Sequence, residues 1–199
     1  MTSDDWDARY STGRYIWNAG PNRFVAEHLA DLEPGTAIDL AAGEGRNAVW
    51  LAERGWRATA VDFSAVALEK AERLASDRGV TVETVLADVT AWEPSAPVDL
   101  VVIAYLQLPV EQQVAVLGRA RTWLRPGGTL LVVAHDQANV ERGHGGPPDV
   151  GVCYDLDTTV DALDPLLIET AEVAERPVET PEGARIALDT LVVARAPER

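Results

Sequence analysis

Apolar and polar positions alternate in blocks along this chain. Short apolar runs at residues 37–40, 57–61, 80–86, 98–104 and 129–135 have the length and composition of buried strands. Between them the apolar residues recur at helical spacing. Phe24, Val25, His28 and Leu29 share one side of a helix expected over 22–32, entered through Gly20-Pro21-Asn22 and broken by Glu33-Pro34-Gly35. Ala48, Val49, Leu51 and Ala52 make the face of a second helix, the run AVALEKAERLAS after Ser64 makes a third, and residues 110–124 a fourth. This alternation predicts an α/β fold with a parallel sheet covered by helices on both faces. Beyond residue 135 the rhythm changes to a loop rich in glycine and proline, a short helix over 157–163, and strands at 166–174 and 184–194 whose link ETPEG reads as a hairpin.

The junction between the first strand and its helix, AIDLAAGEGRNAVWLA, carries the densest chemical information. Gly43 and Gly45 sit where a tight strand-to-helix turn needs unusual backbone angles or close ligand approach. Gly43 to Ala48 also satisfies G-x-G-x-x-A, so the turn alone admits a dinucleotide. Asp39 argues against one: a carboxylate aimed into the turn repels a pyrophosphate and attracts an ammonium or sulfonium. Asp62 ends the second strand, where an acid can accept both hydroxyls of a ribose, and Ser64 is placed to cap the helix that follows. Asp88 follows the third strand, within reach of an adenine amino group.

These segments, together with VDLVVIAYLQL from Val98 and LRPGGTLLVV from Leu124, resemble the class I S-adenosylmethionine-dependent methyltransferases. DLAAGEG, VDFS and LADV complete the set, in the family's order, over residues 34–133. GEGRNAVWLAERGWRATAVD and GARIALDTLVVAR more narrowly resemble the tellurite-resistance and thiopurine branch of small-molecule methyltransferases. The resemblance implies a Rossmann-like, doubly wound sheet of seven strands, mostly parallel with a terminal antiparallel hairpin. It implies S-adenosyl-L-methionine as cofactor, contacted by Trp17, Asp39, Ala41, Gly43, Gly45, Asn47, Asp62, Phe63, Asp88, Val89 and Ala104. The chain departs from the branch where Arg176-Pro177-Val178-Glu179 stands in place of a His-Arg pair and Asp189 replaces a basic residue of the last strand, while Arg185 is kept. Tellurite activity is therefore not carried over.

Length and composition fit one enzyme domain over 1–199: an N-terminal lid and helix at 1–33, a cofactor core at 34–135, and a substrate loop and hairpin at 136–199. With 199 residues, 47% of them hydrophobic, the chain can bury a substantial core. No long apolar segment or leader stands out, so a cytoplasmic protein with no membrane partner is expected. The net charge of -15, from 32 acids against 17 bases, opposes nucleic acid as substrate and favours a small-molecule acceptor. A monomer or homodimer is expected. The lone Cys153 excludes an internal disulfide, and no metal is expected.

Acceptor chemistry points to strand ends. The fourth strand delivers Tyr105, Leu106 and Gln107, and the fifth delivers His135 and Asp136 ahead of the loop ERGHGGPPD with His144. Tyr105, His135 and Asp136 are the candidate catalytic residues. Methyl transfer from a sulfonium is an in-line displacement governed by alignment, and a base is needed only where the acceptor atom carries a proton. Trp6, Tyr10, Tyr15 and Trp17, bracketed near Gly13 and Gly20, suggest a lid, with a docked helix as the alternative. Two other functions remain open at this point: an NAD-dependent oxidoreductase, which would use the same glycine turn, and a non-catalytic cofactor-binding module.

Overall fold

The computed structural model describes residues 3–11, 15 and 20–198. Its contacts group the chain into two compact units, Met1–Ala104 and Tyr105–Arg199. The sheet has seven strands in the order β3-β2-β1-β4-β5-β7-β6, the α/β arrangement the strand–helix rhythm predicts.

The first unit holds α1 (Ser3–Tyr10), α2 (Arg23–Leu29), β1 (Thr36–Leu40), α3 (Arg46–Glu53), β2 (Arg57–Asp62), α4 (Ala65–Asp77), β3 (Glu83–Leu86) and β4 (Val98–Ala104). β1 lies between β2 and β4, and β3 pairs with the far side of β2, all parallel. Parallel register puts the carboxyl ends of β1, β2 and β3 on one edge, so residues 41–45, 62–63 and 87–89 emerge together. Ile38, Leu40, Ala60, Val61, Leu100 and Val102 are almost wholly buried, as strands covered on both faces must be.

Local chemistry sets the helix limits. Asn22 caps α2 by accepting from the Phe24 and Val25 N–H groups, and Ser64 caps α4 by accepting from Ala67 N–H at 3.1 Å, as expected. The third strand begins at Glu83 rather than at residue 80, because the Val80 N–H is used to close the end of α4, donating to the Ala75 carbonyl at 3.0 Å. The amino-terminal aromatic segment contains a helix, α1. Trp6 and Tyr10 stack with ring centroids 5.5 Å apart, and Tyr10 is buried. Trp17 lies outside the described residues.

The second unit contains α5 (Val110–Ala120), a 3-10 turn to Trp123, β5 (Leu124–His135), α6 (Ala138–Arg142), α7 (Leu156–Ala162), β6 (Leu167–Thr180) and β7 (Gly183–Arg195). β7 pairs antiparallel with β5 on one side and with β6 on the other. The hairpin is longer than its sequence suggests. Its first strand is expected to end at residue 174, yet Arg176-Pro177-Val178-Glu179 continues it and Pro177 sits opposite Ile186 inside the ladder. β6 is the edge strand, so a residue without an N–H is tolerated where no outer neighbour needs it. α6, which the loop-like composition hid, is tied down by Asn139. Its Oδ1 accepts from Leu188 N–H and its Nδ2 donates to the Gly145 carbonyl, both at 2.8 Å.

Candidate cofactor and acceptor sites

In the first unit the glycine turn and two buried acids form one connected structure. Ala41, just past β1, has a positive φ of 60°, and Gly43 and Gly45 follow at 54° and 73°. Gly45 is required by space as well as angle, since a Cβ there would stand 2.4 Å from the Ala71 Cβ on α4. Asp62 Oδ2 accepts from Gly43 N–H at 2.8 Å, and its Oδ1 accepts from Ser64 N–H at 2.9 Å. The end of β2 is thereby locked to the turn after β1. Each carboxylate oxygen has a second lone-pair direction, so both can still take a hydroxyl. Burial raises the Asp62 pKa, with the bonds from Ser64 and Gly43 working in the opposite direction.

Asp39 is buried behind the turn. Its Oδ2 accepts from Ala48 N–H at 3.1 Å, in the first turn of α3. Its Oδ1 is also buried and has no hydrogen-bond partner among the described residues. Burial pushes its pKa up to about 7, against the Ala48 bond, the Asn47 side chain and the charge of Arg46. An unpartnered buried carboxylate oxygen is costly unless something cationic satisfies it. Asn47 links this acid to the N-terminal segment by accepting from Asn22 N–H at 2.9 Å.

The remaining residues of the expected set are placed variously. Phe63 follows Asp62 directly, and Val89 is buried beside an exposed Asp88. Asp88 Oδ1 accepts from the Thr90 N–H and hydroxyl at 2.8 and 2.7 Å, so part of its bonding capacity is used by its own turn. Ala104 closes β4. Three features of this unit had not been anticipated. Glu44, between the two glycines, is buried and pairs at 2.9 Å with Lys70, the only lysine in the chain. A Cβ on Gly43 would stand 2.8 Å from the Tyr10 hydroxyl, which brings α1 to the turn. Asp7 of α1 accepts a hydrogen bond from the Ser64 hydroxyl.

In the second unit Tyr105 and His135 meet, with ring centroids 4.8 Å apart. They meet over Asp189, which is fully buried. Its Oδ2 accepts from the Tyr105 hydroxyl at 2.9 Å and from Arg176 Nε at 2.6 Å. His135 Nδ1 lies 3.2 Å from Asp189 Oδ1, at pairing distance but without hydrogen-bond alignment. Burial alone would raise the Asp189 pKa; the contacts from His135 and Arg176 outweigh it and hold the carboxyl below its ordinary value. The Arg176 guanidinium also lies over the Tyr105 ring, 5.6 Å from its centroid. Tyr105 has a φ of 57°, an unusual angle for a ring-bearing residue.

Asp136 is turned inward to structure. Its Oδ1 accepts from Ala138 N–H at 2.8 Å and its Oδ2 from the Thr190 hydroxyl at 2.7 Å. His144 is exposed. The loop expected to face substrate does reach His135: a Cβ at Gly146 would stand 2.9 Å from the imidazole. Among the described residues no group of His, Cys, Asp and Glu is placed to hold a metal, and no helix is long and apolar enough to cross a membrane.

Residues 37–128 match the family model described as a methyltransferase domain. The trans-aconitate 2-methyltransferase of Azoarcus sp. (strain BH72) is 35% identical over 100 residues, 49% of this chain and 38% of that protein. The cypemycin N-terminal methyltransferase of a Streptomyces sp. is 31% identical over 131 residues, 64% of this chain and 52% of that protein. Other relatives are named as ribosomal RNA and transfer RNA methyltransferases. This chain thus spans about half or less of the length of these curated relatives. Among solved structures, the N-methyltransferase NodS from Bradyrhizobium japonicum WM9, in complex with S-adenosyl-L-homocysteine, has the same fold, with a TM-score of 0.74 at 16% identity over 98% of both chains.

Proposed function

We propose, from the premise that residues 37–128 form a methyltransferase domain of the class I S-adenosylmethionine-dependent kind, that this protein methylates a small-molecule acceptor at an oxygen or nitrogen. One observation carries the cofactor reading: the buried, unpartnered Oδ1 of Asp39 behind the glycine turn. A dinucleotide pyrophosphate would leave that carboxylate repelled, whereas S-adenosylmethionine carries an ammonium and a sulfonium that favour it. Asp62 would hold the ribose hydroxyls, and the turn through Gly43 and Gly45 admits the close approach of the nucleoside. When bound, this cofactor supplies an electrophilic methyl group and a leaving group that departs as a neutral thioether.

Little chemistry is left to side chains beyond alignment and the fate of one proton. Holding the reactants in line is worth roughly 7 to 11 kcal/mol of barrier. His135 is the residue of the second unit suited to accept a proton, and Tyr105 packs against its ring. Asp136 supports β5 and α6 rather than the reaction, given that both its oxygens are engaged. α1, with Tyr10 at Gly43, belongs to the closure of the cofactor site.

The acidic balance of the chain, -15 overall, supports a small molecule over the RNA acceptors named for some relatives, because phosphate backbones would be repelled. Kinship with the tellurite and thiopurine branch rests on the segments around Gly43 and the last strand. Replacement of the branch's basic residue by Asp189 sets this acceptor apart from an oxyanion. The test is an acceptor screen with radiolabelled S-adenosylmethionine against phenols, amines, thiols, carboxylic acids, chalcogen oxyanions and RNA. Label transfer to a small phenol, amine or acid supports the proposal, and transfer to RNA alone overturns it.

A further inference from the structure

Asp189 is the most heavily engaged acid of the second unit, and the sequence motifs give it no role. It is 0% exposed, stands on β7 opposite His135 of β5 in the strand register, and receives Tyr105 from the end of β4 and Arg176 from β6. A fully buried carboxylate that serves only to tie strands together is an expensive device, since an apolar pair of the same volume does so with less desolvation. The polar ends of three other side chains converge on it instead. Oδ2 is occupied by Tyr105 and Arg176, while Oδ1 faces His135 Nδ1 at 3.2 Å and the outer Arg176 nitrogen at 3.4 Å.

We propose that Asp189 is the positioning residue for His135, fixing the imidazole with its Nδ1 proton toward the carboxylate so that Nε2 is the basic nitrogen in the methyl-transfer reaction. The inference rests on the proposed function, since it assumes an acceptor that loses a proton. Nδ1 is buried, so the 15% of the side chain that solvent reaches lies on the rest of the ring. A Cβ at Gly146 would stand 2.9 Å from the imidazole, so the loop packs close to the ring. As the acceptor's oxygen or nitrogen bonds to the methyl carbon, the C–S bond breaks and leaves its electron pair on sulfur. The acceptor's proton passes to Nε2. The imidazolium so formed faces an ionised Asp189, and the loose 3.2 Å contact becomes a charge-assisted hydrogen bond when it is needed. Arg176 and Tyr105 complete the arrangement by favouring the ionised form of Asp189, and Tyr105 and His135 remain to do so when Arg176 is replaced. Among the described residues, Arg176, Tyr105 and His135 are the titratable and charged groups that meet at this carboxylate.

Nitrogen-15 NMR of the histidine rings in the full chain, saturated with S-adenosylhomocysteine, tests this without an identified acceptor. His28→Gln and His144→Gln assign the His135 signals. The neutral ring of His135 is expected in the Nδ1–H tautomer, with a mixed or Nε2–H form in Asp189→Asn. Arg176→Gln, which leaves Asp189 and His135 in place, is expected to retain the Nδ1–H tautomer. An Nε2–H tautomer in the unsubstituted protein, or an unchanged tautomer in a folded Asp189→Asn, overturns the proposal. If Asp189→Asn does not fold, the tautomer of the unsubstituted protein and of Arg176→Gln decides. Calorimetric affinity for S-adenosylhomocysteine is expected to stay within about twofold in Asp189→Asn. Failure of the unsubstituted protein to bind that ligand contradicts the proposed function instead, and the two failures are thereby separated.

Discussion

The turn around Gly43 and the cluster around Asp189 solve the same problem by different means. Each holds a buried carboxylate ionisable, the first around the carboxyl ends of the parallel strands β1 and β2 and the second within the antiparallel strand β7, and each lies next to one of the two non-glycine residues with positive φ among the described residues, Ala41 and Tyr105. In the first, backbone N–H groups of Gly43, Ser64 and Ala48 hold the acids. In the second, side chains of Tyr105, Arg176 and His135 do so. A cradle of backbone donors depends on chain conformation and tolerates changes in the surrounding side chains. A cradle of side chains can be retuned one residue at a time, which would suit the acceptor-binding role proposed for this region.

The sharpest way to break this contrast is to remove the acid that the backbone cradle exists to hold. On the proposed reading Asp62→Ala would delete two hydrogen bonds to the ribose, worth roughly 1.5 to 3 kcal/mol each, so affinity for S-adenosylhomocysteine should fall on the order of 100-fold or more by calorimetry. Unchanged affinity would remove Asp62 from the site. Next in size is Gly45→Ala. The added methyl meets Ala71 and the residue must keep a φ of 73°, so urea unfolding should show a loss of roughly 2 to 4 kcal/mol. A neutral effect would show that the turn is free to relax.

Asp39 offers a test through pH. Its folded pKa, about 7, lies above the ordinary 3.8. The folded protein therefore keeps a proton that the unfolded chain has lost over that interval, and the associated stability, complete below about pH 4, is lost as pH rises through 7. A ligand ammonium acts in the opposite sense by favouring the carboxylate. Affinity for S-adenosylhomocysteine should rise with pH, by at most about tenfold per unit, up to about pH 7 and then level. Asp39→Asn should be flat over the same range, and a parallel slope in that variant would assign the effect elsewhere. The smallest effect is expected from Ser64→Ala. It removes the cap of α4 and the bond to Asp7, costing about 1 kcal/mol of stability, yet leaves the Ser64 N–H that holds Asp62. Cofactor affinity should barely move, whereas a large loss would mean that side chains hold this cradle too.

The same contrast explains what the sequence discloses. Asp39, Gly43, Gly45 and Ala48 fall within one strand–turn–helix unit, so local spacing announces them, and Ser64 declares itself as a cap two residues after Asp62. The alternation of strands and helices is local as well, and it predicts the parallel half of the sheet closely. Asp189 gathers partners from positions 105, 135 and 176, which no window of the chain brings together. Arg176 lies beyond residue 174, where the sequence reading ends the strand, whereas β6 runs on through Pro177 as an edge strand. Asp136, next to His135 and equally polar, reads from the sequence as a catalytic candidate on the same footing. Only the antiparallel register, pairing His135 with Asp189 and placing Thr190 at Asp136, separates the two acids. Tyr10 at Gly43 escaped for a similar reason: its contact with the turn depends on how α1 docks, not on any local pattern.

The central claim, that buried acids around the Gly43 turn hold a cationic nucleoside, is tested most directly by calorimetric titration of the unsubstituted protein with S-adenosylmethionine and, separately, with NAD. The account predicts saturable one-to-one binding of S-adenosylmethionine and no heat of binding from NAD. Saturable binding of NAD with none of S-adenosylmethionine would contradict it.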